Sequence, residues 1–238
     1  MEDFEENEVL LTYQECIESE DSMKWKAAIE AEKKCLDETK TWKLVPEEYA
    51  SGKILTSRWV FKKKEDGRYR ARLVAKGCQQ MKSSFDFMDT YSAVVRTTSI
   101  RTFLAIGAMK NLNFQTFDIK SAFLYGDLEE EIFMKLSEGY NHPGMVCLLQ
   151  KALYGLRQAP LQWYKKLTIF LKNELKSDKC VFKIGKGKQT LYLAIHVDDG
   201  LILGEDESEI QKLLQKMGKQ FKMTTTTNPK VLSWDGNK

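Results

Sequence analysis

An α+β fold with a mainly antiparallel sheet packed on helices is what this 238-residue sequence predicts. Three observations carry the prediction. A hairpin is spelled out by "RWVFKKK" (58–64), the turn Glu65-Asp66-Gly67-Arg68 and "YRARLVAKG" (69–77). Three apolar runs, "CVFKI" (180–184), "TLYLAIHV" (190–197) and "LILG" (201–204), follow one another at hairpin spacing. Between such strands lie helical patterns, without the strict strand–helix repeat of a parallel sheet.

In chain order, residues 1–21 hold nine acids and no Lys or Arg, so 1–20 are expected to be a disordered acidic extension. A helix is predicted from Asp21, with Asp21 or Ser22 as cap and Trp25, Ala28, Ile29 and Leu36 near one face. Pro46 and Gly52 bracket a loop before the hairpin. "TTSIRTFLAIGAMKN" (97–111) reads as a helix burying Ile100, Phe103, Leu104 and Ala108, and "LNFQTFDI" (112–119) as a strand. After "YGLRQAP" (154–160) a helix is expected, with Pro160 at its first position and a stripe of Trp163, Leu167, Phe170 and Leu171. Gly185–Gly187 mark a turn, and "ESEIQKLLQKMGKQF" (207–221) is the last helix. One domain is expected over 21–223, with 224–238 a divergent tail.

Charge is unevenly spread. Beyond residue 21 the chain carries 37 basic against 25 acidic residues, although the net charge is only +3. Residues 53–82 alone hold ten Lys or Arg and two acids, Glu65 and Asp66. A lobe of that density suits a polyanion such as nucleic acid or a triphosphate, and equally a well-solvated surface hairpin. Five scattered cysteines without a CxxC pair, and only two histidines, argue for reduced thiols and against a Cys/His zinc site. No apolar run approaches the roughly 18 residues of a membrane span, and no secretion signal is expected after Met1.

Two acidic spots can carry chemistry. Asp118 ends an apolar strand, and Asp198-Asp199 lie between two more. Taken alone, Asp-Asp-Gly is a tight turn, and Asp118 a strand end. A hairpin tip beside a strand end would gather three carboxylates, which repel unless a cation neutralises them. Hard oxygens of this kind select Mg²⁺ or Mn²⁺, and a pair of such ions is the usual device for in-line displacement at phosphorus. A metal-dependent nuclease would use clustered acids too, but needs neither the basic hairpin nor the "YGLRQAP" block.

The blocks "RWVFKKKEDGRYRARLVAKGCQQ", "YSAVVRTTSIRTFLAIGA", "FDIKSAFLYGDLEEEIFM", "LLQKALYGLRQAPLQWYKKL" and "HVDDGLILG" resemble, in order and spacing, the copia-type retrotransposon reverse transcriptase domain over about residues 25–223. The resemblance implies reverse-transcriptase-like fingers and palm, and RNA-directed DNA polymerase activity by two-metal nucleotidyl transfer. It implies Asp118, Asp198 and Asp199 as catalytic, Mg²⁺-binding residues (Mn²⁺ serving also), with Asp199 the less directly ligating. Phe123 matches the bulky position that selects deoxynucleotides, a residue that simple core packing explains equally. Tyr154 and Gly155 match the loop supporting the incoming nucleotide, with Gly155 permitting close backbone approach. Lys63 (or Lys64) and Arg70 (or Arg72) are similar to residues that clamp the triphosphate. Implied partners are an RNA or DNA template with its primer and deoxynucleoside triphosphates, with no membrane and no fixed oligomeric state. An intracellular place is implied, cytoplasmic within a virus-like particle or nuclear.

Two departures qualify the resemblance. His196 stands where the family most often has Tyr. After "QFKMTTTTNPKV" the sequence reads "LSWDGNK", where the family continues into the hairpin that grips the primer. A chain truncated before thumb and ribonuclease H is therefore expected, with weak activity, and a non-catalytic nucleic-acid-binding remnant is the alternative.

Overall fold

The computed structural model describes residues 12–64, 66–80, 94–171 and 178–227. The chain divides into two compact units, residues 1–90 with 126–162 and residues 91–125 with 163–238.

The first unit begins with α1 (Tyr13–Glu18) and α2 (Ser22–Glu38). Helix α1 falls inside the stretch expected to be disordered. A capping box forms it: Thr12 Oγ accepts from the Glu15 amide and the Glu15 carboxylate accepts from the Thr12 amide. Cys16 then buries fully. Helix α2 presents Trp25, Ile29 and Leu36 to the core. Asp21 makes no side-chain cap; its carboxylate accepts from Lys24 Nζ and from the Tyr69 hydroxyl at 2.6 Å. Strands β1 (Trp42–Pro46), β2 (Ile54–Leu55), β6 (Phe133–Lys135) and β7 (Met145–Leu149) form a sheet ordered β1-β7-β6-β2, antiparallel except for β2 with β6. The predicted hairpin is β3 (Ser57–Lys63) and β4 (Tyr69–Ala75), closed through Gly67 at φ 79°. Trp25 meets Phe61 and Tyr69 edge-on, at 5.4 and 4.5 Å between ring centres, fastening α2 to the hairpin.

The second unit holds α3 (Thr97–Met109), β5 (Asn113–Ile119), most of α4 (Ala159–Leu171), β8 (Val181–Ile184), β9 (Leu191–His196), β10 (Asp199–Gly204), α5 (Glu207–Gly218) and β11 (Met223–Thr227). Its sheet is antiparallel throughout, ordered β11-β5-β10-β9-β8, with α3 and α5 against β10. Ile100 of α3 is buried as predicted, but Ala108 is exposed and Gly107 faces inward. The groove at Gly107 is filled from the other side: a Cβ there would stand 2.6 Å from the Leu203 side chain. Thr224–Thr227, expected in a divergent tail, add an edge strand to β5. Residues 228–238, including "LSWDGNK", lie outside the described residues.

Candidate active site

Central strands β5 and β10 run antiparallel in a register that sets Asp199 directly opposite Asp118. Directly opposed residues share a face of the sheet, with Cβ atoms about 4.5–5.5 Å apart. Strand β9 pairs on the other side, His196 opposite Asp199, so the two residues of the hairpin turn are Val197 and Asp198. This overturns the tight-turn reading of Asp-Asp-Gly, because Asp199 and Gly200 belong to the strand. Gly200 is there for space: a Cβ would lie 2.0 Å from the tip of the Phe117 ring across the ladder.

Asp118 is exposed, and Asp198 and Asp199 are half-buried. Burial pushes the Asp199 carboxyl up to about 6, helped by the negative charges of Asp198 and then Asp118. Asp198 and Asp118 therefore both act on the Asp199 carboxyl. Burial holds the His196 imidazole below its usual pKa, partly offset by Asp198. Among the described residues no three His, Cys, Asp or Glu side chains close into a metal shell by themselves.

Asp198 is held in place through its turn. Val197 has φ 59°, a left-handed conformation that a β-branched residue adopts at a cost of about 1–3 kcal/mol. A positive φ at only the first turn residue is the sign pattern of a type II′ hairpin, a position that suits Gly. Both turn carbonyls are bonded from outside the hairpin. The Ile119 amide, next after Asp118, donates to Asp198 O at 2.9 Å. The indole N–H of Trp163 on α4 donates to Val197 O at 2.6 Å. From sequence Trp163 is only a stripe residue; its polar handle was the missed signal. The indole is fully buried beside Tyr125 and edge-on to Phe221, at 6.1 and 5.4 Å. Phe123 sits half-buried in the 3₁₀ turn Ala122–Tyr125, between buried Ala122 and Leu124.

The first unit carries the basic candidates. Along the hairpin, Trp59, Phe61, Ala71, Leu73 and Ala75 are buried, so alternation puts Arg58, Val60 and Lys62 on the other face with Arg70, Arg72 and Val74. Lys62 pairs with Arg70 and Val60 with Arg72. Lys63 has the opposite parity: it faces Tyr69, its ammonium 5.1 Å from the ring centre, and a hydrogen bond with the Tyr69 hydroxyl holds its pKa up. Lys63 thus shares no face with Arg70 and Arg72; Lys62 does. Lys64 lies past the end of β3.

Arg72 stacks its guanidinium over the Tyr154 ring at 4.7 Å, and its Nε is buried without a hydrogen-bond acceptor. Burial raises the Glu32 carboxyl on α2, opposed by the Leu73 amide and by Arg72 and Arg70. Gly155 permits a close approach, but to the protein's own backbone: at φ 86°, a Cβ would fall 2.0 Å from Ala75 O. The Ala75 amide donates to Tyr154 O at 2.8 Å. Buried glutamines anchor the loop further. Gln80 accepts from the Arg157 amide and donates to Gln158, which donates to Glu130.

Residues 39–232 match the family model described as reverse transcriptase (RNA-dependent DNA polymerase). The chain is 46% identical over 210 residues to a retrovirus-related Pol polyprotein from transposon TNT 1-94 of Nicotiana tabacum, covering 82% of this chain and 16% of that one. To the corresponding polyprotein from transposon RE1 of Arabidopsis thaliana it is 36% identical over 211 residues, 83% of this chain and 14% of the other. This chain therefore spans about one-sixth of the length of these relatives. A solved structure of apo telomerase from Candida tropicalis superposes with a TM-score of 0.43 at 12% identity, covering 87% of this chain and 56% of that one. With a family model over most of its length and the paired aspartates on facing central strands, this chain belongs to the reverse transcriptase (RNA-dependent DNA polymerase) family, as the copia-type domain found in retrotransposon Pol polyproteins.

Proposed function

We propose that this chain adds deoxynucleotides to a primer 3′-hydroxyl on an RNA or DNA template, with Asp118 and Asp198 holding Mg²⁺ or Mn²⁺ and Asp199 beside them. The observation that carries this is the β5–β10 register, which opposes Asp118 and Asp199 with Asp198 in the adjoining turn. The donor set fits a hard cation: its candidate ligands are carboxylate oxygens, and burial, with the added repulsion of Asp198 and Asp118, already raises the Asp199 pKa to about 6. Remaining ligands would come from water and substrate phosphates, as is usual for Mg²⁺. When bound, such ions supply activation of the primer hydroxyl and stabilisation of the departing pyrophosphate.

The chain's own groups have distinct tasks. Asp118 and Asp198 present oxygens from a strand and from a turn fixed at both carbonyls, so their spacing is set before substrate arrives. Asp199 contributes negative charge next to them. Lys62, Arg70 and Arg72 offer donors to phosphate oxygens, Arg with its planar fork and Lys as a point charge. Phe123 excludes a ribose 2′-hydroxyl.

Primer extension with the chain, Mg²⁺ and deoxynucleotides tests the reading. Incorporation that Asp198→Asn removes supports it. Template binding without incorporation under Mg²⁺ and Mn²⁺ would instead establish the non-catalytic remnant.

A further inference from the structure

We infer that Trp163 is a positioning residue for Asp198, acting through the hydrogen bond from its indole to the Val197 carbonyl; the inference rests on the function proposed above. The turn combines two features that normally exclude each other. Val197 is β-branched yet holds φ 59°, and the turn it strains carries a carboxylate that must be placed to within a fraction of an ångström. A strained conformation persists only where its surroundings impose it.

Four constraints impose it here. The His196–Asp199 pairing closes the hairpin, and the Asp199–Asp118 pairing fixes its second strand. The Ile119 amide holds Asp198 O, and Trp163 Nε1 holds Val197 O. The first three are backbone interactions that any sequence in this register makes. Trp163 is the side chain among them, and it has little freedom to point elsewhere. It is fully buried, with Phe221 edge-on and Tyr125 tilted against it, and Tyr125 is itself anchored by accepting from the Lys222 amide at 2.7 Å. Without the indole donor, the Val197–Asp198 peptide would be free to rotate about Val197 ψ and Asp198 φ, and would carry the Asp198 carboxylate with it. The effect belongs on cation affinity and turnover, and not on nucleotide or template contacts.

The test replaces Trp163 with its benzothienyl analogue, which keeps the bicyclic shape and loses the N–H, and separately makes Trp163→Phe with and without Val197→Gly. Mn²⁺ binding, followed by paramagnetic resonance, should weaken several-fold in the benzothienyl variant. Turnover should fall about 10–100-fold, with the nucleotide KM within about twofold, as expected for a small misplacement of a reacting group. Val197→Gly removes the strain, so Trp163→Phe should lose less in that background. Unchanged Mn²⁺ affinity in the benzothienyl variant, or no measurable Mn²⁺ binding by the unmodified chain, overturns the inference. So does an equal loss from Trp163→Phe in both backgrounds. Absence of incorporation by the unmodified chain removes the proposed function instead, and the Mn²⁺ comparison still decides the role of Trp163.

Discussion

Replacing Asp199 by Asn should stabilise the metal-free protein, and only above a defined pH. In the folded chain the Asp199 carboxyl titrates at about 6 rather than 3.8, chiefly through burial and then through Asp198 and Asp118. The folded state therefore holds this proton more tightly than the unfolded state does. Stability from this group is complete below about pH 4 and is lost as pH rises to about 6. A shift of roughly two pKa units corresponds to about 3 kcal/mol as a ceiling, and solvent screening at a half-buried site brings the figure to about 1–2 kcal/mol. Urea unfolding of both proteins across pH 4–8, in chelator, measures the difference. Other titrating groups, such as Glu32, cancel in the comparison. The difference should be near zero at about pH 4, grow towards pH 6 and stay level above about 7. A constant difference at every pH, or an Asn variant less stable at pH 8, would refute the raised Asp199 pKa.

Other perturbations test the neighbouring parts. Gly200→Ala should cost about 1–3 kcal/mol by thermal unfolding, and much less in a Phe117→Leu background, because the added methyl meets only the ring tip at 2.0 Å. Gly155→Ala should cost about 3–5 kcal/mol or prevent folding, since its Cβ strikes the backbone oxygen of Ala75 and φ is 86°. Lys62→Glu with Arg70→Glu should flatten the dependence of log template affinity on log salt by roughly 0.7–0.9 per lost phosphate contact, whereas Lys63→Glu should change it little. Asp118→Asn should abolish incorporation while leaving template affinity within about twofold, as filter binding can show.

The sequence disclosed most where local chemistry and tertiary structure agree. The β3–β4 hairpin carries its turn in Asp66-Gly67, and α5 repeats its buried Ile210, Leu214 and Met217 at helical spacing. Bulk acidity concealed α1, although Thr12 and Glu15 form a capping box that is readable residue by residue. Amphipathic reasoning chose Ala108 over Gly107 because it assumes that the helix supplies the side chain filling the groove, and Leu203 supplies it here. At Lys63 the resemblance gave the order of residues but not the face, and a one-residue slip in a strand reverses every side chain. The carboxylates could be gathered on paper only by resemblance. Their meeting depends on the β5–β10 register, and no local signal reports which distant strand is the neighbour.

That register also has a consequence for how the molecule is made. Strand β5 takes both of its partners, β10 and β11, from about 80 or more residues downstream. Each unit is likewise stitched from two separate stretches of chain. As synthesis proceeds, β5 leaves the ribosome with both edges unsatisfied, and it waits until residue 227 before its ladder is complete. Closing so long a loop is slow, and an open edge invites pairing with another copy in the meantime. Yield during expression should therefore respond to translation rate and to chaperones that shield strand edges, even for variants whose finished stability is unchanged.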